Sequence, residues 1–190
     1  MPVYTSSSLI DQLYDQTDRF MIQAAQWQIL PASQFEVTPS AQSWSASQCL
    51  AHLNSYGEYY LPQLHYAIVR GKERGKISVP EFKTGLLGNY FTNLMLPENN
   101  GVPSRKMKSP KDHLPIANDD SAIVLATFIE QQEKMIALLQ QARHVNLNAV
   151  KVPISIAKFI RLRLGDVFMF IVAHNSRHML QAERALGSSS

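Results

Sequence analysis

Two histidines, His174 and His178, stand four residues apart in "AHNSRHMLQAER" (173–184). On a helix, residues i and i+4 share one face with their side chains about 6 Å apart. That is the spacing at which two imidazoles reach a single metal ion. Phe170 precedes the pair on the same face and Gln181 follows it, so the stripe Phe170, His174, His178, Gln181 is expected to face inward. Buried neutral imidazoles need partners for their ring nitrogens, and a metal ion is one way to supply them. The plainer reading is two ordinary helix residues that happen to share a face. Two ligands rarely suffice in any case: a catalytic zinc-type site has three protein ligands and an open position.

His52, in "WSASQCLAHLNSYGEYY", is the best candidate for the third ligand. Its face also carries Gln48, Ser55, Tyr56 and Tyr59, and the competing reading is a satisfied core histidine. His65 lies near a proline and fits either role, while His113 and His144 read as surface residues. The pair also resembles the H-E-x-x-H helix of zinc peptidases, but Asn175 stands where that mechanism needs its general-base glutamate. An amide takes no proton from water, so peptidase chemistry of that type is excluded. Three neutral histidines would leave a divalent ion its full charge and an open position, which lowers the pKa of a water or a thiol. Hydrolysis and thiol transfer are both open to such a site. No general base stands out: Tyr56 and Tyr59 are suited to orienting a substrate but also to plain packing, and Glu58 is off the His52 face. Cys49 reads as a small buried hydrophobe rather than a nucleophile.

The elements that must position these residues are helical. The spacing of Leu9, Leu13, Phe20, Ala24 and Trp27 predicts a first helix from Ser8, as its cap, to Leu30. A Pro- and Ser-rich connector, 31–43, follows. "SASQ" (45–48) is a capping box with Ser45 as N-cap, and Trp44 is placed to staple onto Cys49. The second helix is expected to reach Arg70, end at Gly71, and kink or break near Tyr60 because of Pro62. Residues 72–118 read as a long ordered connection with a short helix in "EFKTGLLGNYFTNLMLP". A third helix is expected from Asp119 or Asp120 to Ala142, with Ile123, Phe128, Ile136 and Leu139 on its apolar side. "SIAKFIRLRL" (155–164) suggests an extra helical turn or two, and the last helix is expected after Gly165, capped by Asp166, to Leu186. The end, 187–190, reads as a flexible tail. No strand pattern competes, so the expected class is all-α: a four-helix bundle in one domain, 1–190, with a long connection between its second and third helices.

Composition agrees. An apolar share of 45% and a charged share of 17% are ordinary for a globular protein with a real core. No apolar run is long enough for a membrane span. The start shows no signal-peptide pattern, and a single cysteine rules out an internal disulfide framework; both fit a cytoplasmic setting. A net charge of +3 leaves no footprint for nucleic acid, and the basic stretch "SRKMKSPK" (104–111) reads as a solvated loop.

"WSASQCLAHL", with the C-terminal "AHNSRHMLQAERAL", resembles the DinB-like superfamily of metal-binding four-helix bundles. That family has a histidine early in its second helix after a W-S start, and an H-x-x-x-H pair trailed by Gln in its last. The resemblance covers most of the chain. It implies His52, His174 and His178 as the three ligands of a divalent metal, zinc or nickel, with Gln181 as the trailing glutamine. It favours, slightly, a low-molecular-weight thiol as the nucleophile, since some family members resemble thiol S-transferases and others metal-dependent hydrolases. It also implies that a homodimer is open to the chain. A non-enzymatic bundle, serving in binding or stress response with a structural or vestigial metal, is the alternative.

Overall fold

The computed structural model describes residues 1–96, 109–115 and 120–187. Most of the basic stretch 104–111 and of the expected tail 187–190 lies outside these residues. Among the described residues the chain is predominantly helical, at 67% helix. Four long helices dominate: α1 (Ser6–Trp27), α3 (Ala46–Glu73), α5 (Ser121–Ala142) and α6 (Leu164–Gly187), with two shorter ones, α2 (Ala32–Glu36) and α4 (Leu86–Met95). α3 packs on α5 and α6, and α1 packs on the same two helices.

The chain is not purely helical. A strand at the start, β1 (Val3–Thr5), pairs antiparallel with β2 (Glu81–Lys83). β3 (Lys151–Ile154) and β4 (Ala157–Arg163) form an antiparallel hairpin where extra helical turns were expected. The reason lies in alternation. Val152, Ile154 and Leu162 face the core between exposed Lys151 and Arg161, a period of two that the helical reading overlooked. Phe82, the middle residue of β2, is fully buried. It comes so close to Gly165 that a Cβ there would lie 2.6 Å from its ring. The α6 backbone can approach only because that position is glycine.

Several boundaries also differ from expectation. α1 begins at Ser6 with Thr5 as N-cap, so Ser8 lies inside the helix and caps nothing. α3 is one helix through Pro62 rather than two, and it passes Gly71 to end at Glu73. Gly71 is buried against Val150, and the left-handed turn is made instead by Gly75 at φ 62°. The Ser45 capping box is formed: Gln48 N–H donates to Ser45 Oγ (3.2 Å) and Ser45 N–H donates to Gln48 Oε1 (3.0 Å). α5 starts where expected, with Asp120 as its N-cap, but Ile123 is exposed and Val124, Leu125, Met135 and Leu138 share the buried face with Phe128 and Leu139. Asp166 does not cap α6, which starts two residues earlier. Its buried carboxylate accepts from the Gly85 N–H (3.0 Å) at the start of α4, and burial raises its pKa.

The core consists of two apolar clusters joined end to end along the long helices. One holds Leu13, Tyr56, Tyr60, Met135, Leu139, Phe168 and Val172. The other holds Ala24, Leu50, Leu53, Phe128, Met179 and Ala182. Where they meet, every long helix contributes buried polar residues: Thr17 from α1, His52 and Asn54 from α3, Gln131 and Gln132 from α5, and His174, Asn175 and His178 from α6. Burying each large apolar side chain stabilises the fold by about 1.5–3 kcal/mol, whereas each buried polar group must find a partner to avoid a net cost.

Candidate metal centre

The three histidines lie together in this polar layer. Their ligand nitrogens are all within 4.8 Å of one another and all three residues are buried. His52 comes from the second turn of α3 and the other two from one face of α6. The tautomers follow from the partners. His52 Nδ1 donates to the backbone carbonyl of His113 (2.6 Å). His178 Nδ1 donates to Gln181 Oε1 (3.0 Å). A carbonyl oxygen only accepts, so both protons sit on Nδ1, and Nε2 of each ring keeps its lone pair. His52 Nε2 and His174 Nε2 are 3.1 Å apart. Two nitrogens bound to one ion at about 2.0–2.1 Å stand about 3.3 Å apart in a tetrahedral site, so this pair already has the required spacing.

Burial holds the imidazoles neutral, as ligation demands. It pushes His52 down to about 4 and His178 to about 3. His174, with His178 and His52 beside it, lies well below the ordinary value. The donor set therefore fits a divalent ion: three neutral imidazoles, nitrogens converging, and two of the far ring nitrogens tied down by oxygen acceptors.

Aromatic rings wall the cluster. Trp44 lies 4.9 Å from the His52 ring and stacks on His178 at 5.7 Å. Phe170 stacks on His174 at 5.8 Å, and Tyr56 lies 4.4 Å from it. Tyr56 and Phe170 also line a small apolar cleft with Tyr60, Phe91, Ile154 and Ser155. Arg177, whose Nη1 donates to the Leu94 carbonyl (3.2 Å), is close enough that its charge lowers the pKa values of His174 and His178.

The remaining candidates fall into place around this centre. Gln181 touches His178, whereas the side-chain oxygen of Gln48 is taken up by the α3 cap. Tyr59 packs on Tyr60 rather than on a histidine. His65 and His144 are exposed. Cys49 is fully buried and its thiol is pushed up to about 12, so it carries no thiolate. Asn175 donates to Gln132 Oε1 (3.0 Å) inside the polar layer.

His113 is the residue that the sequence misplaced. It is buried, not a surface residue, and its ring stacks on Tyr56 at 3.9 Å. Nothing in its neighbourhood of lysine and proline forecast this, because its partners lie about 60 positions away on α3. Trp44 had a local signal, the residue before the N-cap, and it meets His52 on the helix it precedes, but its contact with His178 depends on α6.

A family model of the DinB superfamily matches residues 14–182. Neither the curated proteins nor the solved structures give a match to this chain.

Proposed function

The chain belongs to the DinB superfamily, and from that premise we propose that it binds one divalent metal ion through Nε2 of His52, His174 and His178 as a single-domain four-helix bundle. The observation that carries this reading is the convergence of three buried, neutral imidazoles on one point, two with Nε2 left as the available nitrogen. When bound, the ion supplies Lewis-acid charge that lowers the pKa of a thiol or a water. The chain's own residues do the rest. Trp44, Phe170 and Tyr56 exclude water from three sides of the cluster and lower the local dielectric. The His113 carbonyl and Gln181 hold two rings in the ligating tautomer. The cleft beyond Tyr56 and Phe170 holds only about 30 Å³, so an electrophilic substrate would have to displace these rings to reach the ion.

The reaction we propose is attack by a small thiol, or else by water, on such an electrophile. Asn175 is committed to Gln132 and offers no base, which argues against a peptidase of the H-E-x-x-H type. Among the described residues no helix is long and apolar enough to cross a membrane, and the one cysteine, buried and free, is compatible with a cytoplasmic setting. The second reading, a non-enzymatic binding protein with a structural metal, is favoured by one feature: the aromatic wall leaves the histidines themselves little exposed.

Elemental analysis of protein purified without a histidine tag decides the first point, with close to one zinc or nickel per chain expected. Metal-free protein that cannot be reloaded sinks the metal reading. Turnover of thiol plus electrophile, abolished by His52→Ala, is the expected activity. Silence with thiols, esters and amides alike moves the protein to the non-enzymatic reading.

A further inference from the structure

The two tied-down histidines are tied in different ways. His178 leans on Gln181, three residues along the same helix, so its partner is always at hand. His52 leans on a backbone carbonyl 61 residues away, in the 109–115 segment. We infer that metal occupancy and docking of this segment are thermodynamically linked, with His113 as the positioning residue that carries the link. The inference rests on the metal reading above and adds to it how the site is regulated.

Three observations support it. First, the segment cannot hold its own shape. It is a single 3-10 turn, Lys111–His113, closed by the His113 N–H donating to the Pro110 carbonyl (3.0 Å) and the Leu114 N–H donating to that of Lys111 (3.4 Å). One such turn is far below the length at which a helix is stable alone. Second, the segment is held on α3 through the His113 side chain. Ser55 Oγ donates its hydrogen to the His52 carbonyl (2.8 Å) and is left to accept from His113 Nδ1 (3.0 Å), while the ring lies on Tyr56. The ring thereby sets where the His113 carbonyl stands. Third, that carbonyl is the acceptor that fixes the His52 tautomer. A cation on Nε2 draws electron density from the ring and strengthens the Nδ1–H···O bond; a docked carbonyl makes Nε2 a better donor to the ion. The coupling is reciprocal: zinc favours the docked segment by the same factor that docking favours zinc.

The test uses the full chain and Zn²⁺ alone. Hydrogen exchange is followed in peptides covering 109–115 with and without one equivalent of zinc, and zinc affinity is measured by competition with a chelator. Zinc is expected to slow exchange in this segment. His113→Ala is expected to weaken zinc binding by about 10–100-fold while the metal-free variant keeps the wild-type helical signal and melting temperature. His113→Phe, which keeps a ring on Tyr56 but not the bond to Ser55, is expected to recover part of the loss. Because linkage is reciprocal, either exchange indifferent to zinc or an unchanged affinity in His113→Ala overturns the inference. If His113→Ala fails to fold, the wild-type exchange result decides alone. Zinc uptake failing in the wild type is a different outcome, since it removes the metal reading itself.

Discussion

The two apolar clusters and the polar layer between them are built from the same four long helices, yet their relation to water is opposite. In the cluster around Phe128 and Leu53, burial is itself the driving force, and neighbours need only fill space. In the layer that holds His52, His174 and His178, burial opposes the charged form of each imidazole. Those groups are tolerated because partners are arranged around them: the His113 carbonyl, Gln181, and the Asn175–Gln132 pair. One region contributes stability; the other spends some of it to keep three nitrogens neutral and aligned.

Acid is the strongest way to break this balance. The folded-state pKa values of the three histidines lie below the unfolded value of about 6.5. Above that pH both states are neutral and the histidines add no pH dependence. Below it the unfolded chain takes up protons that the native state refuses, so stability falls as pH falls. The loss continues until the folded values are reached, about 4 for His52 and about 3 for His178. Its slope is on the order of 1.4 kcal/mol per pH unit for each histidine. Chemical denaturation of the metal-free protein from pH 8 to pH 4 reads this directly. An acid limb that begins only below pH 4 would show that burial does not hold the imidazoles neutral.

The apolar side of the comparison is tested at Phe128, which is fully buried. Phe128→Ala should cost about 3–5 kcal/mol through lost burial and a cavity. It should leave the acid limb in place, since no histidine is touched. A shift in that limb would mean that the cluster and the layer are not separable.

A smaller effect is expected at Gly57, in the layer itself. A Cβ there would lie 1.9 Å from Gln131 Oε1, so Gln131 would have to give up its bond to the Asn54 carbonyl (3.1 Å). The helix gains about 1 kcal/mol from Gly→Ala, while the lost buried hydrogen bond and the displaced side chain cost about 1–3 kcal/mol. Gly57→Ala should therefore destabilise by about 1 kcal/mol in urea unfolding. A stabilised variant would show that Gln131 moves aside freely and that the layer is loosely held.

Local chemistry in the chain determined much of this molecule by itself. Helical periodicity marked four long helices, and the Ser45 capping box located the start of α3 to the residue, because a cap is satisfied within three positions. The i, i+4 spacing put His174 and His178 on one face for the same reason. What lay beyond the reach of local chemistry was decided by packing. Gly71 did not end α3; it stands inside the helix, where Val150 from the β3 approach leaves no room for a side chain. Within 155–164, Ala157–Arg163 became strand rather than helix once Leu162 had an apolar face to cover. Asp166 serves α4 instead of its own helix because Gly85 is brought to it from 81 positions away. His52 meets His174 across 122 positions, and His113 reaches His52 across 61. Spacing along the chain carries no information about such pairs, since the free energy that brings them together comes from the core closing around them.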